Sequence, residues 1–203
     1  MSYKAIVIGA SAGGFFALKK LITALPIDFS IPILIVQHIS PTSDSYMARH
    51  LNSLSKLTVK EADEKEAILP GHVYIAPPNY HLLIEEDNTI SLSTENKKNY
   101  SRPSIDILFE TAAYAYGKVL IGIILTGANN DGSSGLLSIK NHGGYCIVQD
   151  PSEAEVDTMP ISAINNSNPQ KILKIEEIAS LLIEINKVLK KDTKKKKLND
   201  NIK

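Results

Sequence analysis

Short, continuous apolar runs alternate along the chain with segments in which apolar residues recur at helical spacing. The runs at residues 5–9, 33–36, 119–125 and 145–148 are typical of strands buried on both faces of a parallel sheet. The helical spacing predicts helices at about residues 14–25, 47–54, 105–116, 134–142 and 176–189. This alternation predicts an α/β fold with a doubly wound, mostly parallel sheet in a three-layer sandwich.

The middle of the chain has a different pattern, in which short apolar segments are separated by turn residues. The turn residues Asp87-Asn88 join two segments of the length that hairpin strands have. We therefore expect an antiparallel excursion that contains a hairpin. Its strands are predicted at residues 73–76, 81–85 and 90–93, after a further short strand at 57–62.

The composition is that of one ordinary domain without a dominant charge. Lys plus Arg and Asp plus Glu number 22 each, so no net field favours nucleic acid or a membrane as a partner. The single cysteine, Cys146, lies in an apolar stretch and is expected to be a buried structural thiol. The chain has no apolar run of membrane-spanning length and no signal-peptide pattern, which together predict a cytoplasmic protein.

The end of the chain differs in composition from the rest. We expect a catalytic domain over residues 1–190 and a disordered, Lys-rich tail over residues 191–203, because the tail has too few apolar residues to build a core. A basic docking segment is the alternative interpretation of this tail.

Three chemically distinct groups follow three of the predicted buried strands. Ser11 follows the first strand and His38 follows the second, while Asp131 lies in the turn after residues 119–125. Open parallel sheets gather their active sites at the carboxyl ends of the strands, so these three side chains are expected to share one edge. A hydroxyl, an imidazole and a carboxylate are the parts of a nucleophile, general-base and orienting-acid triad.

The turn around Ser11 reads G-x-S-x-G, the pattern of a nucleophile elbow. The free N–H groups of Ala12 and Gly13 at the following helix are candidates to bind an oxyanion. A plain connecting turn or a phosphate-binding turn has a similar sequence. Dinucleotide binding needs G-x-G-x-x-G and an acidic residue after the second strand, whereas this chain has Ser11 and His38 at those places.

Each of the other two candidates has a structural alternative. His38 could be a hydrogen-bonded structural histidine, and Asp131 could cap the helix that follows it, a role compatible with a catalytic one. The remaining histidines lack the spacing of zinc ligands, and no metal or organic cofactor is expected.

Beyond these three turns, several segments of the chain match one known family in order and approximate spacing. Together they closely resemble the catalytic domain of the CheB-type protein-glutamate methylesterases of bacterial chemotaxis. The segments are Ile8–Gly14, Val36–His38, Tyr74–Leu82, Arg102–Phe109, Ile124–Gly127, Asn130–Gly132 and Met159-Pro160.

The resemblance implies a serine hydrolase that removes methyl esters from glutamate side chains and also deamidates glutamine. It carries the nucleophile onto Ser11, the base onto His38 and the acid onto Asp131. It implies backbone oxyanion donors at Ala12 and Ala128, and a methylated chemoreceptor-like protein as substrate. A methyltransferase and a separate receiver protein are the further partners that it suggests.

Two departures from the family pattern lie in the acid turn, where Ala128 and Asn129 replace the usual Met and Gly. Ala128 leaves a smaller and wetter wall to the oxyanion pocket, and Asn129 is expected to need a different backbone angle, which Asn tolerates in the left-handed region. These changes motivate the competing hypothesis of an inactive, partner-binding protein with the methylesterase fold. Arg102 is expected at the rim, either contacting an acidic receptor helix or forming a salt bridge within its loop.

A third departure is architectural. Many members of the family carry an N-terminal phosphoacceptor domain that blocks the site until it is phosphorylated. Because the first predicted strand begins close to Met1, the sequence favours a stand-alone esterase regulated by partners, and an excised domain is the alternative.

Overall fold

The computed structural model describes residues 3–200, with side chains described for residues 3–191. Seven parallel strands form the main sheet, in the order β3-β4-β2-β1-β7-β8-β9, and two antiparallel strands, β5 and β6, form a separate hairpin. The strands are β1 Ala5–Ala10, β2 Ile33–Gln37, β3 Thr58–Glu61, β4 His72–Ile75, β5 His81–Ile84, β6 Ile90–Ser93, β7 Leu120–Ile124, β8 Tyr145–Gln149 and β9 Lys171–Leu173.

Six helices cover the two faces of the sheet. They are α1 Gly14–Ala24, α2 Tyr46–Leu54, α3 Ile105–Tyr116, α4 Ser133–Asn141, α5 Thr158–Ser167 and α6 Ile175–Asp200. Apolar side chains of α1, α2 and α6 pack in one core, and those of α3, α4, α5 and the hairpin pack in the other. The predicted fold class, a doubly wound parallel sheet in three layers with an antiparallel hairpin, is therefore confirmed.

The central strands are buried along their whole length, as their continuous apolar sequences predicted. Every residue of β1, β2 and β7 is buried, because helices cover both faces of these strands. In the register, Ile8 of β1 lies between Ile35 of β2 and Ile123 of β7. The interior of the sheet is thus a continuous layer of branched aliphatic side chains, which holds the strand ends in fixed positions.

The strand order reverses at β1, which has β2 on one side and β7 on the other. The loops that leave the carboxyl ends of β1 and β7 lead to helices on opposite faces of the sheet, α1 and α4, and this reversal opens a crevice at that edge. Three strands that are far apart in sequence therefore end side by side. This arrangement places the turns that carry the three candidate groups next to one another.

Some predicted elements differ from those in the structure. The strand predicted at residues 73–76 is β4, which pairs in parallel with β2 and β3 and is not part of an antiparallel excursion. Only β5 and β6 form the hairpin. The helix α5 and the short outer strand β9 were not predicted.

The far end of the chain leaves one expectation open. The Lys-rich tail predicted at residues 191–203 lies almost wholly outside the residues whose side chains are described, so its disorder and the domain limit stay predictions. Within the described part of the chain, none of the helices combines the length and the apolar character that crossing a membrane requires.

Candidate active site

Ser11, His38 and Asp131 lie together at the carboxyl ends of β1, β2 and β7. His38 Nδ1 is 3.2 Å from Ser11 Oγ, and His38 Nε2 is 2.9 Å from Asp131 Oδ2. Hydrogen bonds of the sheet continue past the strand ends: the Ser11 N–H donates to the Thr126 carbonyl, and the His38 N–H donates to the Ala10 carbonyl, each at 3.0 Å. Hydrogen bonds of the sheet therefore fix the backbone of the two residues that carry the hydroxyl and the imidazole.

The turn that presents Ser11 is built from small residues. The positive φ that the turn needs falls on Gly13, at 76°, and not on Ser11. The strained serine of a nucleophile elbow is therefore absent, and glycine takes the left-handed conformation at no steric cost. A Cβ added to Gly127 would lie 2.9 Å from Ser11 Cβ and 2.5 Å from Met159 Cε, so only glycine allows the acid turn to pack this closely against Ser11.

Gln37, the last residue of β2, ties the nucleophile turn to the base turn. Its side-chain amide nitrogen, Nε2, donates to the Ser11 carbonyl at 2.8 Å and to the His38 carbonyl at 3.0 Å. The carbonyl oxygen of the same amide, Oε1, is buried and has no hydrogen-bond partner among the described residues. An unpaired buried acceptor is unfavourable, so the two hydrogen bonds that Nε2 donates must hold the Gln37 side chain in this position.

Asp131 is fully buried and accepts hydrogen bonds from several directions. Its oxygens accept from the backbone N–H groups of Ile105 at 2.7 Å and Asp106 at 3.2 Å, and from the Ser104 hydroxyl at 3.0 Å. The carboxylate therefore caps the N-terminus of α3. The alternative considered for Asp131, a cap on the following helix α4, is not observed, because the N–H groups of Gly132 and Gly135 at the start of α4 donate to Asp106 instead.

A second carboxylate makes the reciprocal contact, from α3 to the start of α4. Asp106, in the first turn of α3, accepts from the N–H groups of Gly132 at 2.9 Å and Gly135 at 2.7 Å, at the start of α4. The first turn of α3 and the turn before α4 thus each supply the acid that binds free N–H groups at the start of the other helix. Asn99 bridges the pair, since its Nδ2 donates to Asp106 Oδ2 at 2.9 Å and to Asp131 Oδ1 at 3.3 Å.

The two buried carboxylates have opposite pKa shifts. Burial opposes ionisation of Asp131, but hydrogen bonds from His38 and the Ile105 N–H outweigh it and lower its pKa. Burial dominates at Asp106 and raises its pKa, against the Gly135 N–H and with a contribution from the charge of Asp131. Asp131 is therefore the ionised partner that His38 faces.

The ionised Asp131 fixes the tautomer of His38. A carboxylate only accepts hydrogen bonds, so the nitrogen facing it, Nε2, carries the proton. The other nitrogen, Nδ1, then carries a lone pair that faces the Ser11 hydroxyl. This is the arrangement in which a neutral imidazole can take a proton from serine.

His81 is a fully buried histidine behind the acid, and sequence reasoning gave it no role. Its Nδ1 accepts from the Ser104 N–H at 3.1 Å, and its Nε2 lies 3.2 Å from the Asn96 carbonyl, to which it donates. Burial lowers the pKa of His81, so it is a neutral ring that supports the residue bonded to Asp131. The supporting position of His81 can be seen only from its tertiary contacts, because a single histidine has no characteristic sequence pattern.

The two unusual residues of the acid turn occupy different positions. Ala128 is exposed and its N–H makes no hydrogen bond among the described residues, as is also true of Ala12. Both N–H groups are therefore free donors, as an oxyanion site requires. Asn129 does not take the left-handed conformation considered for it, and its side chain turns inward, with Nδ2 3.3 Å from His38 Nδ1.

A small cleft of about 120 Å³ opens beside His38. Arg102 lies in its wall, where its guanidinium donates to Asn79 Oδ1 at 2.8 Å and to the carbonyls of Thr94 and Glu95. It forms no ion pair among the described residues, so the salt bridge considered for this arginine is not present. A larger cavity, of about 530 Å³, lies at the opposite end of the strands near Tyr3 and Tyr116 and contains none of the three candidate groups.

No set of three or more His, Cys, Asp or Glu side chains within the described part of the chain is arranged to hold a metal ion. The fold and these contacts define a class of protein, an α/β sandwich with a serine, histidine and aspartate at the switch point of a parallel sheet. A family model described as CheB methylesterase matches residues 6–182. The chain belongs to this family.

Individual relatives agree with the family match. A protein of Leptospira interrogans, provisionally named protein-glutamate methylesterase/protein-glutamine glutaminase, is 54% identical over 91% of this chain and 96% of its own length. A Paraburkholderia xenovorans protein with that name is 42% identical over 87% of this chain, which spans 49% of the relative. The crystal structure of the Thermotoga maritima CheB methylesterase catalytic domain has a TM-score of 0.87 and 38% identity, and the match covers 91% of this chain and all of that one.

Proposed function

We propose that this chain is a protein-glutamate methylesterase that also deamidates glutamine, with Ser11, His38 and Asp131 as its catalytic residues. The observation that carries the proposal is the pair of contacts that join the three side chains, at 3.2 and 2.9 Å. The family match and the names of the relatives support the substrate class. The proposed substrate is a methylated chemoreceptor-like protein in the cytoplasm.

In the proposed reaction, Ser11 Oγ attacks the ester carbonyl while its proton passes to His38 Nδ1. The tetrahedral oxyanion is bound by the free N–H groups of Ala12 and Ala128. The ester C–O bond then breaks, and the leaving oxygen takes the proton from His38 and departs as methanol. Asp131 stabilises the imidazolium through its bond to Nε2 and keeps its own negative charge.

Water completes the cycle. His38 accepts a proton from a water molecule, which attacks the acyl-enzyme, and Ser11 leaves with that proton while a glutamate side chain is released. With a glutamine side chain the leaving group is ammonia and the acyl-enzyme is the same. The open cleft beside His38 suits a side chain that projects from the surface of a large partner.

The test is methanol release from a methylated receptor fragment, with Ser11→Ala as the matched variant. Ser11 Oγ has His38 as its one side-chain partner in the described structure, so the variant should keep its thermal stability. It should lose turnover by at least about 10³-fold, as expected for the loss of a nucleophile. Methanol release at the native rate by Ser11→Ala would reject the role of Ser11, and no release by the native protein would favour the inactive, partner-binding alternative.

A further inference from the structure

The side chain of Asn129 lies between the backbone of the acid and the reactive nitrogen of the base. Its Oδ1 accepts the Asp131 N–H at 3.1 Å, and its Nδ2 is 3.3 Å from His38 Nδ1. A backbone N–H can only donate, so the oxygen of the amide must face Asp131. The NH₂ group therefore faces His38 as a donor, and turning the amide over would lose both contacts.

The nitrogen that Asn129 faces is the one that takes the serine proton in the proposed mechanism. With Nε2 protonated towards Asp131, Nδ1 of neutral His38 has a single lone pair. Ser11 Oγ approaches that lone pair at 3.2 Å and Asn129 Nδ2 at 3.3 Å. Two donors therefore share one acceptor in the resting site.

The contact must change when the proton moves. Once His38 Nδ1 carries a proton it is a donor, and it then faces the NH₂ group of Asn129, which is also a donor. The Asn129 amide thus stabilises neutral His38 and not the imidazolium that forms as Ser11 attacks. An interaction that is stronger in the ground state than in the transition state lowers the rate of the chemical step.

We propose that Asn129 is a further residue of the catalytic machinery, one that occupies the lone pair of the general base and slows attack by Ser11. The inference rests on the proposed roles of Ser11 and His38 but not on the identity of the substrate. The family pattern has glycine at this position, and glycine has no side chain to contact His38. The asparagine is therefore expected to lower the rate of attack relative to a glycine.

The experiment measures the rate at which a fluorophosphonate labels Ser11, because this reaction needs the nucleophile and its base but no methylated protein. Asn129→Gly removes the amide and the bond to the Asp131 N–H. Asn129→Ser keeps a side-chain oxygen that can accept from that N–H, but it has no donor that reaches His38. The matched control is Asn130→Ser, the same change at the next residue, whose exposed side chain makes no hydrogen bond among the described residues.

Asn129→Ser and Asn129→Gly should both be labelled faster than the native protein, by roughly three- to ten-fold, the equivalent of one neutral hydrogen bond. Asn130→Ser should match the native rate. The ¹⁵N resonance of His38 Nδ1 should move in both Asn129 variants and stay in place in the control, a change that a purely structural role of Asn129 would not produce.

Each other outcome has a defined meaning. If Asn129→Ser is labelled at or below the native rate while it folds normally, the inference is wrong and the amide assists attack or is neutral. If the labelling rates rise as expected but no methanol is released from a methylated receptor fragment, the inference stands and the proposed substrate fails.

Discussion

At the level of the single residue, the Asp131 carboxylate makes two kinds of contact, because it faces His38 and also caps α3. Both of its oxygens accept from donors, so neither can be replaced by an NH₂ group without opposing an N–H or O–H. An aspartate that only capped a helix would tolerate asparagine, since Asn is also a good cap. The structure therefore gives a sharper expectation than the sequence did.

Asp131→Asn should lose activity and stability together. We expect turnover to fall by about 10³–10⁴-fold, because an amide disturbs the imidazole tautomer. The free energy of unfolding should fall by about 1–3 kcal/mol, since a buried donor would be left unpaired. Kinetics and denaturant unfolding of the same preparation measure both effects, and a variant with normal stability and near-native turnover would remove Asp131 from the catalytic set.

His81 makes the stability of the fold depend on pH near neutrality. Burial lowers its pKa from the ordinary value of 6.5, with the Asn96 carbonyl acting in the opposite direction. Above about pH 6.5 the ring is neutral in both the folded and the unfolded chain, so its full contribution to stability is present. As pH falls below that value, the unfolded chain gains a proton that the folded chain does not, and stability is lost.

The measurement is the free energy of unfolding of the native protein and of His81→Gln between pH 7.5 and 5.5. The native protein should be the more stable at the upper end, because glutamine cannot keep both bonds of the ring. Its advantage should shrink on acidification, by up to about 1.4 kcal/mol per pH unit. An advantage that is constant over this range would show that His81 does not resist protonation.

At the level of the element, Asp106 in the first turn of α3 binds N–H groups at the start of α4, and Asp131 in the turn before α4 binds those at the start of α3. Asp106 and Asp131 differ in what their oxygens accept, and this difference predicts different responses to the same substitution. Asp106 Oδ1 alone accepts the N–H groups of Gly132 and Gly135, so an asparagine oxygen can take its place. The other oxygen accepts only the Asn99 amide among the described residues.

Asp106→Asn should therefore cost little stability, whereas Asp106→Ala should lower the free energy of unfolding by about 1–3 kcal/mol, the cost of unpaired buried N–H groups. Urea unfolding of the two variants beside the native protein tests this difference. Equal losses in both variants would mean that the charge of Asp106, and not its bonds to α4, stabilises the helix pair.

The sequence predicted the elements whose patterns are local and missed those that depend on tertiary contacts. The continuous apolar runs of β1, β2 and β7 are visible because both faces of these strands are buried. The outer strand β9 has three residues, none of them buried, and so has no such run. The helix α5 was not predicted because Met159-Pro160 does not look helical, although proline is tolerated in the first turn of a helix, where Pro160 lies.

The same division applies to the site. Ser11, His38 and Asp131 could be predicted because each follows a recognisable strand. Their supports could not be, since Gln37, His81 and Asn99 contact residues far away in sequence. Hydrogen bonds of this kind are set by packing, and no spacing rule describes them.

At the scale of the whole molecule, the described contacts extend into α6 and define where the chain can be shortened. Asn186 is buried and accepts from the N–H and hydroxyl of Ser30, while Lys190 pairs with Asp28. A chain that ends after Lys191 keeps all of these contacts. A chain that ends after Ile185 loses them.

We expect the chain shortened after Lys191 to have the native unfolding temperature and the native rate of Ser11 labelling. The chain shortened after Ile185 is the matched comparison and should unfold at a lower temperature, because Ser30 loses its buried partner. Calorimetry of the three proteins tests the predicted domain limit. A marked loss of stability on removing residues 192–203 would place that segment inside the folded domain.

The contacts of Asp131 and Asp106 with the helix starts also affect which substitutions such a protein can accept when it loses its function over evolutionary time. In the proposed mechanism Ser11 acts in the reaction but contributes little to the fold, whereas Asp131 acts in the reaction and also binds the start of α3. In a lineage that is no longer selected for catalysis, substitutions of Ser11 are tolerated while substitutions of Asp131 still impair folding. A descendant that has lost its activity should therefore keep Asp131 after Ser11 has been replaced. The presence of the serine, and not that of the aspartate, then indicates that a related protein is still an active enzyme.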